Sequence, residues 1–136
     1  MADLEEIIKT RRSIREYSNQ KVEDEKVEKI LKAGMQAPGS RLGAEPWEFI
    51  VVKNSQVAIV LIANIERAFY KKHWQQDMSA AAENMLLEAC NLNLGGLWNG
   101  VAPTDEKMEK IRELFNLTEN IKPFCIISLG YPADGL

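Results

Sequence analysis

Met78, Ala81, Ala82, Met85, Leu86 and Ala89 recur at three- and four-residue spacings within a stretch free of Gly and Pro. That period predicts a helix from about Gln76 to Asn93, with a single apolar stripe made largely of small side chains. Small residues on the buried face let another backbone come close, so this is expected to be the central helix of the fold. It is expected to pack against a sheet or a second subunit, and packing within one chain fits the pattern equally well. A chain of 136 residues, 46% of them hydrophobic, is long enough to surround such a helix with one core.

The flanking segments supply the rest of that core. Leu4, Ile7 and Ile8 follow helical spacing, and Asp3 with Glu6 resembles a capping box, so a first helix is expected from about Leu4 to Arg11. Val27, Ile30, Leu31 and Met35 form the predicted buried stripe of a second helix, which Pro38 and Gly39 end. Trp47, Phe49, Ile50, Val51 and Val52 make an aromatic and β-branched run typical of a buried strand. The run from Val57 to Ile65 is apolar throughout, and a helix is expected there because a polar helical stretch around Glu66 to His73 follows. Thr104, Asp105 and Glu106 look like the cap and acidic first turn of a last helix, with Met108, Ile111 and Phe115 as its buried stripe. Pro123 to Gly130 is a second buried strand, and without repeats or linkers residues 1–136 are expected to form a single domain.

A formal net charge of −3 and a pI near 5.3 argue against a general nucleic-acid or membrane surface. Against that acidic background the segment KTRRSIREY stands out. Arg11, Arg12 and Arg15 crowd three guanidinium groups into five residues, and Ser13 adds a hydroxyl. Guanidinium forks bind phosphate through paired, charge-assisted hydrogen bonds, so an anion is expected among them. The bland alternative is that they close the first helix, where cations favour the negative end of its dipole. Cys90 and Cys125 lack the spacing of a metal or redox pair and are expected to be reduced core thiols. The acidic start, MADLEEIIKT, is unlike a signal peptide and no apolar run reaches membrane-spanning length, which makes the cytoplasm the expected location. His73 is expected at the surface and Trp47 in the core.

Taken together, RRSIREY, the AP loop running into PWEFIVV, DMSAAAENMLLEA leading into GGLWNG, and the closing SLGYP resemble the nitroreductase family of flavoproteins. The motifs occur in the family's order from Arg11 to Pro132. The resemblance implies an α+β, three-layer fold: a central, mostly antiparallel sheet flanked by helices, in an intertwined homodimer with two FMN molecules at the interface. It places Arg11, Arg12, Ser13 and Arg15 on the flavin phosphate and ring edge. It brings Pro38, Gly39, Ser40 and Arg41 to the FMN of the other subunit, and lays the backbone of Leu97, Trp98 and Asn99 along the isoalloxazine. The expected activity moves a hydride from NADH or NADPH through flavin N5 to a small-molecule acceptor such as a nitroaromatic or quinone. The alternative is a dimeric flavin- or nucleotide-binding module without turnover. Because the flavin carries the redox chemistry, no protein acid, base or nucleophile is required, and none stands out.

Some segments depart from the family pattern. The loop from Gly39 to Glu45 is about one residue longer than expected of the family and lacks its usual Asn, with Gly43 nearest that place, while Glu45 stands where Gln is usual. The stretch before Asp77 and the tail after Pro132 are both short, which predicts a more open site.

Overall fold

The computed structural model describes residues 3–39 and 43–134. Among the described residues, four α-helices and four strands follow one another as α1 (Leu4–Thr10), α2 (Asp24–Met35), β1 (Trp47–Lys53), β2 (Val57–Asn64), α3 (Trp74–Asn91), β3 (Gly95–Gly100), α4 (Asp105–Phe115) and β4 (Ile121–Gly130), with a short 3-10 turn, Lys71–His73, leading into α3. The strands form one antiparallel sheet in the order β1-β2-β4-β3, so β1 and β3 are its two edges.

The predicted central helix is α3, which lies against all four strands. Met78, Ala81, Ala82, Met85 and Ala89 are fully buried there, and Leu86 is nearly so. Opposite them Ile59, Leu61, Cys125, Ile127 and Leu129 fill the inner face of the sheet. The second helix, α2, packs along α3. A Cβ on Gly34 would stand 2.9 Å from the Met85 side chain and 3.3 Å from the Phe49 ring, so only glycine permits that approach. The other end of α2 is tied to α3 by Lys26, whose Nζ donates to the Leu92 carbonyl at 3.1 Å.

The expected helix from Val57 to Ile65 is instead strand β2. Val57, Ile59, Leu61 and Ala63 alternate into the main core, while Val60 and Ile62, at 2% and 4% exposure, are buried on the opposite face. A strand paired on both sides and buried on both faces carries no alternation, which is why its sequence is uniformly apolar. The turn Asn54 to Gln56 closes the β1-β2 hairpin, with the Asn54 side chain accepting from the Gln56 N–H at 2.9 Å.

Other helix expectations need smaller corrections. Asp3 does cap α1, accepting from the Glu6 N–H at 2.9 Å. Of its predicted stripe, however, only Ile7 is buried; Leu4 and Ile8 are 65% and 58% exposed. Met35, at the end of α2, is likewise exposed. In α4 only Met108 is buried, Ile111 and Phe115 being half-buried. Cys125 is in the core, where burial pushes its thiol up to about 12, whereas Cys90 is half-buried. Trp47 is buried and His73 exposed, as expected. Among the described residues no helix is long and apolar enough to cross a membrane.

Candidate functional site

The arginine segment is not helical. α1 stops at Thr10, and Arg11 leaves it in an extended conformation, φ −58° and ψ 131°. The chain then runs alongside β3: Ser13 bridges Gly96 in parallel, and the Ile14 N–H donates to the Gly96 carbonyl at 3.0 Å. Gly95 makes this approach possible, since a Cβ there would meet Ile14 Cβ at 2.7 Å. Ile14 is buried, so its neighbours Ser13 and Arg15 are turned outward by strand alternation.

Two adjoining hollows open on this segment. One, of about 320 Å³, is bounded by Arg11, Arg12 and Ile14, by Asn93 and Gly96 beyond the end of α3, and by Pro132 of the tail. The other, of about 280 Å³, is bounded by Arg12, Ser13, Ile14, Arg15 and Glu16. Arg12 thus reaches both, and the four residues predicted around an anion do share one stretch of surface. Their charge is scarcely compensated. Arg11 Nε lies 3.4 Å from Glu83 Oε1 in a half-exposed pair, an arrangement worth little, and Arg12 and Arg15 have no carboxylate partner among the described residues. Uncompensated guanidinium groups beside a cleft suit a phosphate.

Leu97, Trp98 and Asn99 lie in β3, the edge strand next to that surface. The Gly96 carbonyl points away from β4, toward Ile14, so by the two-residue period the N–H and C=O of Trp98 also point off the sheet edge. No strand pairs with them there among the described residues. A flat ring with donors and acceptors along its rim can take such groups. The Trp98 side chain turns inward and meets the Phe124 ring edge-on at 5.5 Å, while Asn99 Nδ2 donates to Ser128 Oγ at 2.9 Å and to the Ile126 carbonyl at 3.0 Å. The strand is therefore held rigid from both faces. A Cβ on Gly96 would stand 2.9 Å from Leu86, which keeps this part of the wall thin.

Pro38 and Gly39 are not with this group. Gly39 sits by Glu45 and the Trp47 ring, at the start of β1. Since β1 and β3 are opposite edges, three strand spacings, on the order of 14 Å, lie between the two sets of residues. Ser40 and Arg41 fall outside the described residues. The β1 end is stapled by Arg67, which donates to the carbonyls of Glu45 and Trp47 at 2.8 and 2.9 Å and pairs with Glu48 at 2.9 Å. Glu45 folds back to accept from the Gly43 N–H at 3.2 Å. Asn93 and Pro132 line the cleft without having been singled out as site residues. The Pro132 signal was the GYP-like turn, and that of Asn93 its position two residues before Gly95.

The sequence profile of the nitroreductase family matches residues 8–76 and 66–131. A provisionally named NADH dehydrogenase/NAD(P)H nitroreductase of Archaeoglobus fulgidus is 42% identical, across 98% of this chain and 88% of its own length. Its counterpart in Methanothermobacter thermautotrophicus is 40% identical, across 97% and 78%. A crystal structure of a provisionally named NADH oxidase from Clostridium acetobutylicum superposes with a TM-score of 0.91 at 46% identity, covering 95% of this chain and 89% of that one. A Desulfovibrio desulfuricans protein, provisionally named a nitroreductase and solved in complex with FMN, gives 0.85 at 27% identity, covering 98% and 88%. The likeness runs through the arginine segment, the antiparallel sheet and the small-residue helix alike, and the chain belongs to the nitroreductase family.

Proposed function

We propose that this chain is an FMN-dependent NAD(P)H oxidoreductase that works as a homodimer and reduces small planar acceptors such as nitroaromatics or quinones. The observation that carries the reading is the extended segment from Arg11 to Arg15, which lies against an edge strand with Arg11 in one half-exposed pair and Arg12 and Arg15 without a carboxylate partner among the described residues. Relatives named as NAD(P)H nitroreductases, and a family member solved with FMN, support it.

The residues present fit that cofactor. Arg11 and Arg12, with Arg15 and the Ser13 hydroxyl beside them, would hold the phosphate. The outward N–H and C=O of Trp98 would orient the rim of the ring, and the Trp98-Phe124 pair would keep that wall fixed. FMN, when bound, would supply the redox chemistry, a two-electron exchange of hydride between nicotinamide and acceptor. The protein's part is to bind, orient and exclude competing chemistry. The placement of Gly39 by the β1 edge and of the arginine segment by the β3 edge supports a second copy as the source of the loop contacts, since one chain would not close the site from both sides.

The test is an anaerobic titration of the purified protein, followed by its visible spectrum. FMN added in slight excess is expected to stay with the protein through gel filtration, and its band to bleach on adding NADH or NADPH and return with a quinone. FMN retained without bleaching would leave a flavin-binding module, and no retention would remove the reading. Sedimentation equilibrium at micromolar concentration is expected to give twice the chain mass, and a monomer would overturn the shared site.

A further inference from the structure

Lys26 lies outside the cleft, on the first turn of α2, yet its ammonium bonds to the residue just before each of two that line it. An ammonium has three N–H donors, and each has an acceptor here. One is the Leu92 carbonyl at 3.1 Å, at the end of α3 and one residue before Asn93, which lines the cleft. The second is the Tyr131 hydroxyl at 2.7 Å, one residue before Pro132, which lines it from the other side. The third is Glu23 Oε2 at 3.2 Å. The Tyr131 hydroxyl in turn donates to the Glu23 carboxylate, 2.7 and 2.8 Å from its two oxygens, and Lys26 Nζ stands 4.9 Å from the centre of the tyrosine ring.

The tail that Tyr131 anchors also sets the arginine segment. Its carbonyl accepts from the Ser18 N–H at 2.8 Å, and the Ala133 N–H donates to the Glu16 carbonyl at 3.0 Å. One end of the arginine stretch is therefore pinned to β3 through Ile14, and the other to the tail. On the α3 side Asn93 adopts a left-handed φ of 63°, and the Leu94 N–H returns to the Ala89 carbonyl at 2.9 Å. Among the described residues, Lys26 is the side chain that joins these two turns.

We infer that Lys26, through Tyr131 and the Leu92 carbonyl, is a positioning residue that holds the two walls of the arginine cleft at the spacing a bound phosphate needs. This rests on the reading of that cleft as the cofactor-phosphate site. A lysine serving only to end α3 would matter for stability alone; one that spaces the cleft matters for the phosphate and not for the ring.

The test compares Lys26→Met, Lys26→Arg and Tyr131→Phe in the full chain, measuring the affinities of FMN and of riboflavin, which lacks the phosphate, by quenching of flavin fluorescence. In parallel, amide hydrogen exchange is followed at Leu94 and Ala133. Lys26→Met is expected to weaken FMN about tenfold while changing riboflavin less than about twofold. Exchange at Leu94 and Ala133 is expected to quicken together while Ile59 and Leu61 stay protected. Tyr131→Phe should follow Lys26→Met, and Lys26→Arg, which keeps the charge and donors, should restore most of the loss. FMN and riboflavin falling by the same factor, or exchange at the two amides unchanged, overturns the inference. If the unaltered protein binds no FMN, the functional reading fails on its own. The exchange result then decides the Lys26 inference: joint quickening upholds the coupling of the walls, and quickening at one amide or neither removes it.

Discussion

Glu23 and Asp24, at the start of α2, are charged groups with work to do. The Tyr131 hydroxyl, and then Lys26, hold the Glu23 carboxyl below its ordinary 4.5; Lys53, bonded at 2.8 Å, holds Asp24 below 3.8. Both pKa values are depressed in the fold, so the stability they contribute is complete above the ordinary values and is lost as the pH falls through the lower, folded ones. Both groups are at the surface, which keeps the effect small and salt-sensitive. Denaturant midpoints measured from pH 6 down to pH 3 should fall for the unaltered protein. For the Glu23→Gln, Asp24→Asn double variant they should start lower and change less, and parallel curves would show that these two carboxyls do not carry the acid response. Arg12 and Arg15 are the opposite case, charges without a carboxylate partner among the described residues, and such groups can be retained for a ligand at some cost to the fold. Replacing both by Ala is expected to weaken FMN at least about tenfold, since each removes a charge-assisted hydrogen bond, with the thermal midpoint unchanged or raised; FMN titration and a melting curve decide it.

At the scale of elements, the strip where Ser13 and Ile14 lie on β3 leaves the least room at any described glycine, 2.7 Å from a Cβ on Gly95 to Ile14. Gly95→Ala drives a methyl into Ile14 and is expected to cost about 1–3 kcal/mol by overpacking, with FMN binding lost alongside because the arginine segment is displaced. Gly100→Ala, at the other end of the same strand, meets no atom within 4 Å and serves as the control. Which elements were legible in the sequence follows from how each is buried. α3 sits on one face of the sheet, so its stripe has one period, and its extent was read to within two residues at either end. β2 is buried on both faces and paired on both sides; with no exposed positions to mark a period, its apolar run could be taken for a helix. The arginine segment was recognisable by composition, but its extended course was not. Bridging to Gly96 depends on a residue more than eighty positions away, and no local pattern records it. In α1 the regular spacing of Leu4 and Ile8 described an apolar face that the chain itself does not bury.

For the whole molecule, the sheet order β1-β2-β4-β3 carries the largest consequence. It sends the turn at Pro38 and Gly39 to one edge and the arginine segment to the other, so in the proposed homodimer two copies would build each site from unlike halves. Damage to the two halves should therefore show complementation between subunits. A copy carrying Arg12→Ala and Arg15→Ala, and a copy carrying a bulky replacement at Gly39, should each be inactive alone. Unfolded and refolded together, they should yield hybrids in which one site receives both defects and the other receives neither. Half of the hybrid's sites, fully functional and taking up one flavin per two chains, would be the signature. Mixtures that stay inactive would mean that each chain serves only its own cofactor.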